Sequence, residues 1–154
     1  MVKFEAKDPG YAERVKSSFS RQGIMSHLGA SLFDVTPGYC EIRVEFAPEL
    51  SQQHGYFHGG VIGTIADSAA GYAGYSLMPV NSSVLTVEYK LNLLSPADGD
   101  VLIARGHVVK PGRTLVISRA DVSVVKDDGE KLCATLLQTL MCMTDSPDTR
   151  NLSH

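Results

Sequence analysis

A single carboxylate, Asp67, lies in an otherwise uncharged stretch of the sequence. The twenty residues Val61–Val80 contain no other charge and are mostly small or apolar. Such a composition is typical of a buried helix. Burial of a lone carboxylate costs free energy unless a partner stabilises it or a reaction uses it. Asp67 is therefore either a general base or nucleophile, or an acid paired with an Arg or Lys of a neighbouring strand.

His58, Gly59 and Gly60 stand directly before this stretch, where the helix should begin. The first N–H groups of a helix have no intrahelical acceptor and lie at the positive end of its dipole. They could polarise a carbonyl and stabilise an oxyanion, and glycine permits close approach to the backbone. The alternatives are a tight turn packed against a strand and, for His58, a cap that bonds to the backbone.

The elements that would position these residues follow from hydrophobic periodicity. A helix is predicted over residues 9–28, broken or kinked at Gly23, and the central helix should end near Met78-Pro79. The polar tail 145–154 is expected to be disordered. Alternating patterns between turn signals predict six strands: Ser31–Thr36, Tyr39–Phe46, Ser83–Leu94, Asp100–Lys110, Arg113–Lys126 and Lys131–Thr144.

The short turns predict that the last four strands form an antiparallel meander. In the first of them, alternation groups Leu85, Val87, Tyr89, Leu91 and Leu93 on one face, with Thr86 on the other. We expect an α+β fold with a single domain over residues 1–154. One antiparallel sheet of about six strands would wrap around a long central helix, with an extra N-terminal helix.

Composition excludes several classes of function. The net charge of −3 gives no overall attraction to nucleic acid or to an anionic membrane. The N-terminus has no apolar segment of signal-peptide length, so the cytoplasm is the expected location. The sequence contains neither a G-x-S-x-G elbow nor a nucleotide-binding glycine motif.

Metal and redox chemistry are not indicated either. His54 and His58 are four residues apart, but Gly55 and the loop composition argue against a shared helical face. No acid or cysteine at ligand spacing completes a site, so we expect no metal and no cofactor. The three cysteines, Cys40, Cys133 and Cys142, should be buried small hydrophobic residues.

The segment Gln52-x5-His58-Gly59-Gly60-x6-Asp67 resembles the signature of the PaaI-type (phenylacetate-degradation) acyl-CoA thioesterases, which have the hotdog fold. The strand order and Leu94-Ser95-Pro96 before an acidic turn are also similar to that family. The resemblance extends over roughly residues 25–143 and implies hydrolysis of an acyl-CoA thioester.

The resemblance also implies an assembly and a site. Such enzymes form homodimers whose sheets join edge to edge, often paired into tetramers as dimers of dimers. The site would combine the acid Asp67 of one subunit with the helix N-terminus of the other. The Gly59 N–H would be the main oxyanion donor, with Gly60 beside it at the substrate.

Other roles are carried over from relatives with an alternative for each. Gln52 would hold the thioester or the water, or be a solvated loop residue. Thr86 would assist the water, or simply be solvated. Lys110 and Arg113 would meet the CoA phosphates, or be solvated hairpin charges. Where some relatives carry Ser or Thr one turn after the acid, this chain has Gly71, which leaves more room.

Two other functions fit the same fold. One is a non-catalytic acyl-CoA sensor or carrier, although the sequence adds no DNA-binding domain. The other is a hydratase or dehydratase, which the spacing of Asp67 fits less well. Tyr72 and Tyr75 are expected to be core or interface residues rather than part of an acyl pocket.

Overall fold

The computed structural model describes residues 3–149 and confirms the expected fold class. A six-stranded antiparallel sheet surrounds one long helix, and two short helices precede it. A 3-10 turn at Pro48–Leu50 leads toward the central helix. The helices are α1 Tyr11–Ser20, α2 Gly23–His27 and α3 Gly59–Tyr75, and the strands are β1 Ser31–Thr36, β2 Tyr39–Glu45, β3 Ser82–Leu93, β4 Val101–Lys110, β5 Leu115–Lys126 and β6 Gly129–Thr144.

The core lies between α3 and the concave face of the sheet. Small residues of α3, including Ala66, Ala69, Ala70 and Ala73, are fully buried against it. The closest approach is at Gly106 of β4, where an added Cβ would lie 2.2 Å from the carbonyl oxygen of Ala69. Only glycine permits two backbones to approach this closely. Gly106 and the small residues of α3 therefore set the distance between the helix and the sheet.

The predicted meander of the last four strands is wrong for β3. The strand order is β1-β2-β4-β5-β6-β3, so β3 pairs with β6 and is an edge strand. The connection after β3 crosses the ends of β6 and β5. At its start the Leu94 N–H donates to the Cys133 carbonyl of β6, and at its end the Asp100 N–H donates to the Val125 carbonyl of β5. This connection delivers β4 to the far side of β5, beside β2.

A β-bulge at Val87 changes which residues of β3 face the helix. Thr86 pairs with Leu140 and Glu88 pairs with Thr139, so Val87 has no partner in β6. The extra residue reverses the alternation. The prediction that the odd-numbered residues 85–93 share one face is therefore wrong: Val84 and Thr86 face α3 before the bulge, and Tyr89, Leu91 and Leu93 face it afterwards.

The N-terminal helices pack on the end of α3. The predicted helix over residues 9–28 is interrupted at Arg21 and Gln22, and Gly23 begins α2. Arg14 of α1 donates to the carbonyls of Tyr75 (3.2 Å) and Met78 (2.8 Å), and a cation is favourable at this negative end of the helix dipole. The α3 helix ends at Tyr75, where the sequence predicts an end near Met78-Pro79.

Several smaller expectations concern individual segments. The three cysteines are buried and free. Residues 145–149 contain no helix or strand, and the remainder of the tail expected to be disordered, 150–154, lies outside the described residues. Within residues 3–149, no helix combines the length and the apolar character needed to cross a membrane.

Candidate active site

Asp67 lies in the middle of α3, half-buried beneath β3. The bulge at Val87 turns the Thr86 side chain toward it, and the Thr86 hydroxyl donates to Asp67 Oδ1 at 2.7 Å. The structure therefore brings together two of the residues predicted from the sequence. Thr86 is exposed yet in contact with the acid, so the alternative of a merely solvated threonine does not apply.

The environment of Asp67 favours the neutral acid more than water does. Burial raises the pKa of the Asp67 carboxyl above its ordinary value, and the hydrogen bond from Thr86 offsets part of that rise. Among the described residues, no Arg or Lys lies within ion-pair distance of the carboxyl. The alternative of an acid paired with a cation from a strand is therefore not observed among residues 3–149. A carboxylate whose basicity is raised in this way is suited to accept a proton.

The N-terminus of α3 presents one N–H group without an acceptor. His58 is the N-cap, and its Nδ1 accepts a hydrogen bond from the Gly60 N–H at 2.8 Å. The Gly59 N–H has no hydrogen-bond partner among residues 3–149. The capping alternative for His58 is therefore observed, and it leaves Gly59 rather than Gly60 as the available donor.

This cap also fixes the tautomer of a neutral His58 ring. Since Nδ1 accepts from Gly60, the proton of a neutral ring is on Nε2. His58 is exposed, so that Nε2–H group can reach a ligand while Nδ1 holds the helix.

Gln52 lies in a tight loop ahead of α3. Its backbone N–H donates to the Tyr56 carbonyl at 2.9 Å, and its Oε1 accepts from the His54 N–H. The side-chain oxygen thus stabilises the loop. The amide NH2 makes no hydrogen bond to another described residue, which leaves it as the group that a ligand could engage.

Lys110 and Arg113 are exposed at the connection between β4 and β5. Strand β6 separates β5 from β3, which corresponds to about 10 Å at normal strand spacing. The structure does not bring these two cations into contact with Asp67. Among the described residues, no group of three or more His, Cys, Asp or Glu side chains could hold a metal ion.

Asp67 and Gly59 are too far apart to act on the same bond within one chain. They are eight residues apart on one helix, which is about 12 Å along its axis at 1.5 Å per residue. A base and an oxyanion donor must both lie about 3 Å from the reacting group. Asp67 and the Gly59 N–H of one chain therefore cannot contact the same reacting group.

Strand β3 is an exposed edge of the sheet. It is a twelve-residue edge strand whose backbone groups on one side have no partner strand among the described residues. Several of its apolar side chains are about half exposed: Leu85 57%, Val87 53%, Tyr89 48% and Leu93 57%. A long apolar edge of this kind favours pairing with another strand.

Two glutamines near Asp67, Gln138 and Gln22, carry no sequence signal. Gln138, 1% exposed, donates from Nε2 to the Asp67 carbonyl at 3.2 Å. A small cavity beside Asp67 is also lined by Gln22, Ser68 and Tyr72. These contacts span 46 to 71 residues of sequence, so no local pattern could reveal them. Tyr75 is core, as expected, whereas Tyr72 is buried and also lines this cavity.

The chain is similar to several known proteins in sequence and in fold. The sequence model of the thioesterase superfamily matches residues 54–133. A Halobacterium salinarum protein provisionally named an esterase is 35% identical over 130 residues, covering 81% of this chain and 83% of that protein. A thioesterase family protein from Silicibacter pomeroyi has 44% identity and a TM-score of 0.87, covering 88% of this chain and 99% of its own. The E. coli PaaI protein from the phenylacetic acid degradation operon has a TM-score of 0.80 at 17% identity, covering 92% of this chain and 99% of its own.

Proposed function

We propose, since the chain belongs to the thioesterase superfamily, that it hydrolyses an acyl-CoA thioester to a free acid and CoA. Membership confirms the resemblance to hotdog-fold thioesterases, and thioester hydrolysis is the reaction of that class. The acyl-CoA substrate, the residue roles and the assembly are the parts proposed. The proposal also includes a cytoplasmic location.

Asp67 is the catalytic carboxylate in this proposal. As a general base it takes a proton from water while the water oxygen bonds to the thioester carbon. The tetrahedral intermediate then expels the CoA sulfur, which receives the proton from Asp67. As a nucleophile, Asp67 would instead form an acyl anhydride with release of CoA thiolate, and water would cleave the anhydride.

The observation that carries the proposal is a half-buried Asp67 with a raised pKa, a hydroxyl donor and no cation partner among the described residues. A purely structural acid in an apolar helix would be expected to have such a partner. In the proposal, Thr86 keeps the carboxylate oriented and helps to hold the water.

The oxyanion donor is the Gly59 N–H of a second subunit. The 12 Å separation along α3 supports this division of labour, because the two groups cannot meet within one chain. The apolar edge of β3 supports a homodimer joined through that strand, in which two equivalent sites form. Pairing of two dimers into a tetramer remains part of the proposal.

The remaining residues would bind the thioester group, the attacking water and the CoA phosphates. The Gln52 amide and the His58 Nε2–H group would donate to the thioester oxygen or to the water, and Gly60 would allow close approach beside Gly59. Lys110 and Arg113, exposed on a connection two strands from β3, would meet phosphates of the CoA.

The experiment is an acyl-CoA panel with a thiol reagent that reports free CoA. We expect turnover by the wild type and a loss of about 10²- to 10⁴-fold in Asp67→Asn. Asp34→Asn is the matched control, because Asp34 is an exposed aspartate of β1, the opposite edge strand. Full activity of Asp67→Asn contradicts the proposal, and tight acyl-CoA binding without turnover by the wild type favours a sensor or carrier.

A single turnover in oxygen-18 water tests the anhydride route. Label entering the Asp67 carboxylate supports the anhydride, because water has then attacked the Asp67 carbonyl and its oxygen stays on that carboxyl group. Label confined to the released acid excludes that attack, because the water oxygen has then bonded to the acyl carbon.

A further inference from the structure

Two neighbouring cavities lie along the same side of α3, one beside Asp67 and one further out. The inner cavity has a volume of about 90 Å³ and the outer one about 220 Å³. They share three lining residues, Gln22, Tyr72 and Val84. Both cavities open to the surface, and the outer one is also lined by Arg21 and Asp148, which form an ion pair at 2.8 Å.

Hydrogen bonds to both the nitrogen and the oxygen of the Gln22 amide hold its side chain between the two cavities. Its Nε2 donates to the Tyr72 hydroxyl at 2.8 Å, and its Oε1 accepts from the Ser68 hydroxyl at 3.3 Å. Ser68 directly follows Asp67 on α3, and Tyr72 lies one turn after Ser68. The glutamine therefore bridges two consecutive turns of the helix that carries the acid.

Gln22 is not needed there to cap its own helix. It is the N-cap of α2 with extended backbone, and its carbonyl already accepts from the Met25 and Ser26 N–H groups. Its side chain makes no capping bond. The long side chain is thus free to reach α3, and a shorter residue at this position would keep the α2 cap while leaving the space between the cavities empty.

We infer that Gln22 is a specificity-determining residue that limits the length of the acyl group beside Asp67. The inference rests on the proposed function, since it needs an acyl group in the inner cavity. Gln22 lines both cavities, so an acyl chain that extends from the inner cavity toward the outer one meets the Gln22 amide. Removal of the amide joins the two cavities.

The test compares kcat/KM for acetyl-, butyryl-, hexanoyl- and octanoyl-CoA in wild type and Gln22→Ala. We expect the ratio of octanoyl to butyryl activity to rise by about 10-fold or more, the scale of a few added contacts in an apolar pocket. Ser26→Ala is the control, because Ser26 is an exposed residue of the same short helix. Its ratio should match that of the wild type.

Gly71→Ala tests the same cavity in the opposite direction. Gly71 lines the inner cavity, and an added Cβ would meet only Gln138 Nε2, at 3.9 Å. The helix can therefore accept the methyl group, and the ratio of octanoyl to butyryl activity should fall. This variant also serves if Gln22→Ala does not fold.

An unchanged ratio in either folded variant overturns the inference, as does an equal loss for all four substrates. Failure of the proposed function gives a different result. In that case, the wild type itself releases no CoA from these four thioesters or from any other member of the acyl-CoA panel, aromatic thioesters included.

Discussion

Replacement of Gly59 by proline would delete the proposed oxyanion donor and little else. Gly59 is the first residue of α3. Proline is favoured at this position, because the N–H that it lacks has no intrahelical acceptor. The preceding residue is also compatible, since His58 has φ −65° and ψ 139°, the extended conformation that a following proline requires.

Loss of one oxyanion donor costs about 10²- to 10³-fold in kcat, and we expect Gly59→Pro to fall in that range with little change in Tm. Gly59→Ala is the matched control. It keeps the N–H, and its added Cβ would lie 3.0 Å from Leu93 Cδ1, the flexible end of a side chain. Steady-state kinetics and thermal denaturation of the three proteins measure both effects. Equal activity of the proline and alanine variants would refute the role of the Gly59 N–H.

Three further outcomes follow from single contacts. Thr86→Val removes the hydroxyl that donates to Asp67, so the pKa of the Asp67 carboxyl should rise further. The acid limb of the pH–rate profile should then move to higher pH, and an unmoved limb contradicts this. Asp67→Asn should raise Tm at neutral pH. A carboxyl whose pKa is raised by folding binds more protons in the folded state, so its contribution to stability falls as pH rises from the unfolded to the folded pKa. Calorimetry from about pH 4 to about pH 8 should show the Tm difference growing with pH, and a constant difference counts against it. Gly106→Ala would place a Cβ 2.2 Å from the Ala69 carbonyl oxygen, so it should lower the free energy of unfolding, measured with urea, by about 1–3 kcal/mol. In the control Gly71→Ala the nearest neighbour of the added Cβ would be 3.9 Å away, so this variant should lose no stability.

The central helix and its acid could be predicted because the signal is compositional. A stretch with one charge among small and apolar residues has few ways to fold other than as a buried helix. The glycines before it mark its start, and the structure begins α3 at Gly59. The sequence could not decide between the two roles of His58, because both use the same ring; the bond from Gly60 shows that it caps the helix.

The pairing and the faces of β3 could not be predicted, for two physical reasons. A connection of seven residues after β3 suits either a hairpin loop or a crossover, and only the contacts with β5 and β6 decide. The bulged residue, Val87, is itself β-branched and apolar, so alternation continues through it in the sequence while it reverses in space. That reversal is what brings Thr86 to Asp67.

The partners of the acid could not be predicted because they come from distant elements. Gln138 reaches the Asp67 carbonyl from β6, and Gln22 reaches Ser68 from the start of α2. Neither glutamine stands in a local pattern that distinguishes it from a solvated one. Polar contacts across the core depend on which strand lies under which turn of the helix, which only the assembled fold decides.

The central claim, that each site uses Asp67 of one subunit and Gly59 of another, can be tested by mixing two inactive variants. Asp67→Asn and Gly59→Pro chains, co-expressed with different tags and assembled at random, should give half mixed dimers. Each mixed dimer has one site with both groups intact, so the mixture should recover about a quarter of wild-type activity. Recovery confined to the doubly tagged species supports the shared site. No recovery in a purified mixed dimer would contradict it, because each acid would then depend on the donor of its own chain.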